Sequence, residues 1–254
     1  MWEFSITLNS EHYKVAEFLY NQIKKYTVEV DGIIASYNQN DYLEVVIACQ
    51  EQDKTRLCYY ISSFITEAIC TYFKKDFLLE NLNVKLKDNI SSIAFNKALL
   101  YFDKETDRYL VNKYLKLDKN IFLEAFFDFK LKVLKNKWLE LTKIANANSA
   151  FLMTDETFVD LLKFLIDNLE ITHDCISIVE DKDGYKLMGD DYKEENFGTG
   201  NAEWLIENLI ALSPRKINLY TENSSPEISL ISKVYEERIN IFSKDSRKIV
   251  DKHF

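Results

Sequence analysis

The chain has 254 residues, 47% of them apolar and 29% charged, with a formal charge of −9. That balance excludes disordered, collagenous and disulfide-scaffold chains and disfavours nonspecific nucleic-acid binding. Five glycines and two prolines are too few for the closely spaced turns of an all-β sandwich, so long helices are expected.

Trp2, Phe4, Ile6 and Leu8 recur every second residue and predict a strand. Val15, Leu19, Ile23 and Tyr26 follow at helical spacing and predict a helix over 11–26. Two β-rich runs, 28–37 and 42–49, flank the turn-forming Asn38-Gln39-Asn40-Asp41 and suit a hairpin. Leu57, Ile61, Phe64, Ile65, Ala68, Ile69 and Tyr72 mark a long helix. Residues 1–88 therefore read as a β-α-β-β-α unit with its helices on one face of the sheet.

Over 89–170 the strand signals vanish, and helices are predicted at 91–115, 121–146 and 155–169. The second carries Phe122, Phe126, Phe129, Val133, Leu134, Trp138, Leu141 and Ile144. That stripe is wider than the ~100° of a surface helix and predicts contacts on two sides. Lys130 and Lys137 fall at its centre, where a lysine must snorkel, pair with an acid or serve a site; an acid from a neighbouring helix is the ordinary partner. Thr154 is the expected N-cap of the third helix, with Asp155 and Glu156 at the positive end of its dipole.

Residues 171–254 read as β-β-α-β-α-β and either form their own unit or share one core with the helical segment. Strands at 175–179 and 185–188 flank Asp181-Lys182-Asp183-Gly184, a hairpin signal. After a loop to Gly200, a helix at 202–212 capped by Asn201 ends before Pro214. A strand at 217–220, a helix at 226–237 and a strand at 239–242 complete the chain. The fold class is α+β.

The chemistry-bearing residues form no recognised catalytic or ligand motif. Cys49, Cys58, Cys70 and Cys175 show no Cys-x-x-Cys spacing and read as reduced thiols of a cytoplasmic protein. His173 and Cys175 would share a strand face, but their α-carbons would be roughly 6.5 Å apart, awkward for direct thiol activation. The acids Glu180, Asp181, Asp183, Asp190, Asp191, Glu194 and Glu195 miss the calcium-loop pattern, because Gly184 falls at the fourth position from Asp181. Gly198-Thr199-Gly200 precedes a helix but lacks a third glycine and follows an acidic stretch, which argues against phosphate. Three scattered histidines disfavour a histidine metal site. No metal, cofactor or catalytic constellation is expected, the N-terminal residues lack a signal-peptide pattern, and no run approaches the ~18 uncharged residues of a membrane span.

Charge is uneven: 113–143 holds eight lysines against four acids, and 150–210 holds fifteen acids against four lysines. Lys132, Lys135 and Lys143 share a face with Glu124 and Asp128, which does not make the basic stripe of a nucleic-acid reader.

From Leu123 to about Phe242 the order of landmarks resembles the YtxC-like family of sporulation proteins from endospore-forming bacteria. The matching pieces are Phe126, Phe129, Lys130 and Leu131, then Glu156 and Phe158 leading into Leu161-Leu162-Lys163-Phe164-Leu165-Ile166-Asp167. Ile176 to Val179, Leu205 to Ile210, Ser213-Pro214-Arg215-Lys216-Ile217 and Arg238-Ile239 follow in order. Lysine outnumbers arginine 27 to 5, a bias that fits an AT-rich clostridial genome. In the family an arginine is usual where Lys130 stands, a histidine is common where Ser177 stands, and many members end in a cysteine cluster after the equivalent of Arg238. This chain has no cysteine in that stretch, so no metal or redox role carries over from the cluster. The resemblance implies a cytoplasmic, sporulation-associated role without a known reaction. The expected reading is a non-catalytic interaction or regulatory protein with a protein partner. The other reading is an enzyme acting on a small molecule, its site assembled from Lys130, Glu156 and Arg238.

Overall fold

The computed structural model describes residues 1–147, 155–182, 184–189 and 196–243. Thr154 and the acids Asp183, Asp190, Asp191, Glu194 and Glu195 lie outside them. The fold is α+β, and the chain forms two units: Met1–Leu82 with Glu105–Ile144, and Asn83–Lys104 with Ala145–Phe254. The helical middle of the sequence is divided between them.

The first unit begins with β1 (Trp2–Asn9), α1 (Tyr13–Thr27), β2 (Ile33–Gln39) and β3 (Tyr42–Cys49). Alternation in β1 buries Trp2, Phe4, Ile6 and Leu8 and leaves Glu3, Ser5, Thr7 and Asn9 on the other face. β3 pairs antiparallel with both β1 and β2, so the β1-α1-β2 connection is split by an inserted strand. The apolar stripes of α1 (Val15, Leu19, Ile23) and α2 (Lys54–Ala68; Leu57, Ile61, Ile65) join the inward strand residues in one core.

The predicted strand 28–37 starts late. Val28–Val30 forms a 3-10 turn and Asp31 is left-handed, with φ 46°. At Gly32 a β-carbon would lie 3.0 Å from the Ala48 carbonyl oxygen and 3.3 Å from that of Thr27, so a side chain at the entry to β2 would press on backbone. A two-residue loop, Asn40 and Asp41, then joins β2 to β3, with Asn40 at φ 58°.

After α2 one π-helical turn, Ile69–Phe73, leads into α3 (Lys74–Asn81). The predicted helix 91–115 is two helices, α4 (Asn89–Tyr101) and α5 (Lys104–Tyr114), parted at Asp103 with φ 53°. α4 belongs to the second unit and nearly all of α5 to the first. A short β4 (Asn120–Phe122) pairs parallel with β1 and completes the sheet order β2-β3-β1-β4. The predicted helix 121–146 is likewise broken: α6 (Leu123–Lys130) ends at Leu131, and α7 (Lys132–Ala147) follows.

The second unit takes in α4, α8 (Asp155–Asp167), β5 (His173–Asp181), β6 (Gly184–Gly189), β7 (Asn196–Gly200), α9 (Ala202–Leu212), β8 (Pro214–Tyr220), α10 (Pro226–Val234) and β9 (Ile239–Phe242). Its sheet has the order β7-β6-β5-β8-β9. β5, β8 and β9 run parallel, while β6 and β7 are antiparallel additions. Asn201 caps α9 through the Trp204 N–H at 3.0 Å, as the sequence predicts. Ser225 caps α10, with Pro226 in the first turn. The sequence predicts a loop up to Gly200, whereas pairing with β6 makes Asn196–Gly200 a strand, β7. α4 packs on α8 and α9, and α10 on both of these.

Tyr185 of β6 is buried against α10, where its hydroxyl donates to Glu227 Oε1 at 2.7 Å and lies 3.1 Å from Ser225 Oγ. Burial pushes this phenol up to about 12 from 10.0, with the Glu227 carboxylate adding to the rise. A folded-state value above the unfolded one stabilises the fold fully below pH 10 and loses that contribution as pH rises towards 12. Urea unfolding between pH 10 and 12 is therefore expected to show a falling limb that is shallower in Tyr185→Phe. An identical slope in both proteins counts against this assignment.

Candidate functional site

The broken helix decides where Lys130 goes. A straight helix over 121–146 would put Lys130 at the centre of the apolar stripe, whereas the break at Leu131 resets the helical phase. Leu131, Leu134 and Trp138 are buried, Phe129 and Val133 are more than half exposed, and Lys130 is exposed at the end of α6. The expectation of a lysine set within apolar surroundings is thereby corrected at Lys130. At Lys137 the ordinary reading describes the contact: its Nζ lies 2.6 Å from Asp107 Oδ1, an acid on α5.

Glu156 is exposed in the first turn of α8. Arg238 follows α10, and its Nη2 pairs with Asp167 Oδ1 at 2.7 Å at the far end of α8. Eleven residues of helix separate Glu156 from Asp167, about 16 Å of rise, so Glu156 and Arg238 make no common site. Lys130 belongs to the first unit and the other two to the second. Arg238 Nη1 and the Tyr235 hydroxyl are buried and have no hydrogen-bond partner among the described residues. Burial holds the Tyr235 phenol well above its ordinary range, against the opposing pull of the Arg238 charge.

His173 and Cys175 both lie on β5, as expected, and engage different groups. The His173 Nδ1 is 3.0 Å from the Leu212 carbonyl and 2.8 Å from the Thr172 hydroxyl, while Asn218 Nδ2 donates to Cys175 Sγ at 3.4 Å. The ring is held by the last residue of α9 and by Thr172, while the thiol is met from β8. Among the described residues no cluster of His, Cys, Asp or Glu could hold a metal ion. Among the described residues no helix is long and apolar enough to cross a membrane.

The strongest buried polar arrangement joins residues that no sequence motif links. Lys74 Nζ lies 2.7 Å from Asp107 Oδ2, and Lys137 reaches the other oxygen of the same carboxylate. Lys74 and Asp107 are 1% and 0% exposed. Lys74 stands directly after the π-helical turn, four residues beyond Cys70 and four before Leu78, both buried. That spacing was the available signal, a lysine on an apolar helical face. Burial lowers the Lys74 ammonium from its ordinary value, with the Asp107 charge and hydrogen bond opposing the fall. The Trp138 ring packs 5.8 Å from Nζ. Two ammonium groups on one carboxylate fasten α5 and α7 to α3, an architectural arrangement.

A different surface faces outward. On the sheet face opposite the helices of the first unit, Ile33 and Tyr37 of β2, Tyr42 and Glu44 of β3, and Phe122 of β4 are exposed or half-buried. Ring contact at 5.5 Å joins Tyr42 to Phe122 across the sheet. Tyr37 donates to Glu44, and this hydrogen bond raises the phenol above its ordinary value. A groove of about 780 Å³ runs from Tyr37 and Glu44 across Glu3 and Ser5 to Lys119. Aromatic rings beside carboxylates suit a partner bearing apolar and cationic side chains. No family model matches the chain, and no curated protein and no solved structure matches it either.

Proposed function

We propose that this chain is a cytoplasmic, sporulation-associated protein that acts by binding another protein and carries out no chemistry of its own. The sporulation context rests on the ordered resemblance to the YtxC-like family between Leu123 and Phe242. The interaction role rests on one observation, the outward sheet face of the first unit, on which Tyr42 and Phe122 are 46% and 36% exposed. Large apolar side chains gathered on one uncovered sheet face mark a surface that gains stability when another protein excludes water from it. Glu3 and Glu44 on the same face favour a partner presenting lysine or arginine beside apolar groups.

The test is a cross-linked pull-down of the tagged chain from spore-forming cells entering sporulation, with a vegetative-phase control and a Tyr42→Asp/Phe122→Asp variant. The expected result is a partner held by the wild-type chain during sporulation and reduced about tenfold or more in the variant. A partner held equally by both proteins places binding elsewhere and overturns the surface. Recovery of the chain alone, at an abundance where complexes are detectable, overturns the interaction reading.

A further inference from the structure

The outer edge of β2 carries none of the devices that keep sheet edges from pairing. β2 is the last strand of its sheet among the described residues, and six of its seven residues are exposed. Its sequence, Ile33-Ile34-Ala35-Ser36-Tyr37-Asn38-Gln39, contains no charge and no proline, and its ladder with β3 runs without a bulge. Edge strands in soluble proteins are ordinarily blunted by one of these features, because unpaired N–H and C=O groups template another strand.

Hydrogen bonding across the sheet fixes which groups point outward. Ser5 N–H donates to the Lys119 carbonyl on the β4 side at 3.1 Å, so the odd residues of β1 turn away from β3 and the even ones toward it. Carried across the register, β3 uses Leu43, Val45 and Ile47 toward β1 and Tyr42, Glu44, Val46 and Ala48 toward β2. Ile33, Ala35, Tyr37 and Gln39 therefore bond to β3, which agrees with the hydrogen-bonded pair that closes a two-residue loop. Ile34, Ser36 and Asn38 direct their N–H and C=O groups to solvent.

We propose that the occupant of this edge is a second copy of the chain, with the two β2 strands antiparallel about a twofold axis through Ala35. In that register Ile34 of each copy faces Ser36 of the other, and each of these two pairs exchanges both backbone hydrogen bonds. Ile33 meets Tyr37 of the other copy, twice by symmetry, which joins the two large exposed apolar side chains of the strand, 70% and 47% exposed, as β-branched–aromatic pairs. Ala35, the smallest side chain of the strand, meets itself on the axis. These are non-hydrogen-bonded positions, where opposing side chains come closest, so the small residue falls where room is least. No charged side chain opposes another within the strand, so self-pairing brings no like-charge repulsion there. Pairing stops at Gly32, whose N–H is already donated to the Thr27 carbonyl. The short strand makes this a reversible, concentration-dependent dimer. It uses the edge and leaves Tyr42 and Phe122 of the proposed partner face uncovered, so the two proposals stand or fall separately.

The test uses the full chain. Sedimentation equilibrium from low-micromolar to near-millimolar concentration is expected to show a monomer–dimer equilibrium, weakened roughly tenfold or more in Ala35→Lys, which sets two ammonium groups opposite each other. Ala35 is exposed, so the thermal unfolding of this variant serves as the control for folding. Register is read by mild oxidation of Ala35→Cys and Ile33→Cys beside the wild type, whose own four cysteines supply the background. Cys at 35 meets its symmetry mate within disulfide reach, whereas residue 33 lies four residues, roughly 13 Å, from its own mate. Cross-linking at 35 and not at 33, above background, is the expected result. A monomer at every concentration, a dimer that Ala35→Lys leaves unchanged, or cross-linking at 33 equal to that at 35 overturns the proposal.

Discussion

Asp107→Asn is expected to destabilise the first unit by about 3–5 kcal/mol, because it removes the single carboxylate on which two ammonium groups converge. Lys74 is 1% exposed, and its ammonium is desolvated at a cost that the facing carboxylate offsets only in part. Asparagine keeps the volume and removes the charge, so the buried Lys74 ammonium loses the carboxylate charge that faces it at 2.7 Å. Asp107 also lies in the first turn of α5, where a negative charge favours the helix dipole, a smaller contribution lost with it. The variant carries a signature in pH. A lysine whose folded value lies below its unfolded 10.5 costs stability at neutral pH, and that cost disappears as pH approaches 10.5. Urea unfolding of Asp107→Asn followed through tryptophan fluorescence is expected to recover midpoint as pH is raised from 7 to 10, more steeply than the wild type. Lys74→Met is the contrasting variant: Asp107 keeps Lys137, and methionine has nearly the right volume, so the change stays within about 1.5 kcal/mol. A loss below about 1 kcal/mol for Asp107→Asn rejects the triad as the fastening of α5 and α7.

Trp138→Ala is expected to cost a similar amount, about 3–5 kcal/mol, through the cavity it leaves. Trp138 is 1% exposed, and its ring packs against Phe77 and Phe127 at centroid distances of 5.7 and 5.9 Å. The site cannot collapse easily, because α3, α6 and α7 meet there and the ion cluster lies on one side of the ring. Trp138→Phe separates ring packing from the indole's polarity. The indole N–H is buried with no hydrogen-bond partner among the described residues, so losing it removes a desolvated donor. The phenylalanine variant leaves a smaller cavity and is therefore expected to lose about half as much as the alanine variant or less, measured as urea midpoints at constant slope. Equal losses for both substitutions contradict this account, since they place the energy in the indole nitrogen.

The two lysines of the broken helix illustrate how far periodicity reaches. A uniform 3.6-residue repeat over 121–146 places Lys130 and Lys137 together in the apolar stripe, and nothing in the local sequence announces a break at Leu131. The strand β4, Asn120–Phe122, pairs with β1, more than a hundred residues earlier, and fixes where α6 begins, and α6 ends at Leu131 after eight residues. Lys130 then turns to solvent, while Lys137 meets an acid on another helix. Lys74 shows the converse. Its helical face was legible, but Asp107 is thirty-three residues away, and no local pattern couples the two. Arg238 and Glu156, selected together on resemblance and polarity, stand toward opposite ends of α8 because the tertiary fold pairs Arg238 with Asp167.

Taken alone, the sequence determined what depends on neighbouring residues. The alternation in β1, the stripes of α1 and α2, the hairpin after Gln39, the Asn201 cap and the terminal strand-helix-strand all follow from periods of two and 3.6 residues and from local turn chemistry. The order of the strands depended on the tertiary structure, as did the division of the helical middle between two units and the existence of β4 and β7. So did the burial of Lys74 with Asp107 and the free, uncharged edge of β2. Each of these is a pairing between distant segments, and its stability comes from burying surfaces or satisfying backbone groups that belong to no single stretch of chain.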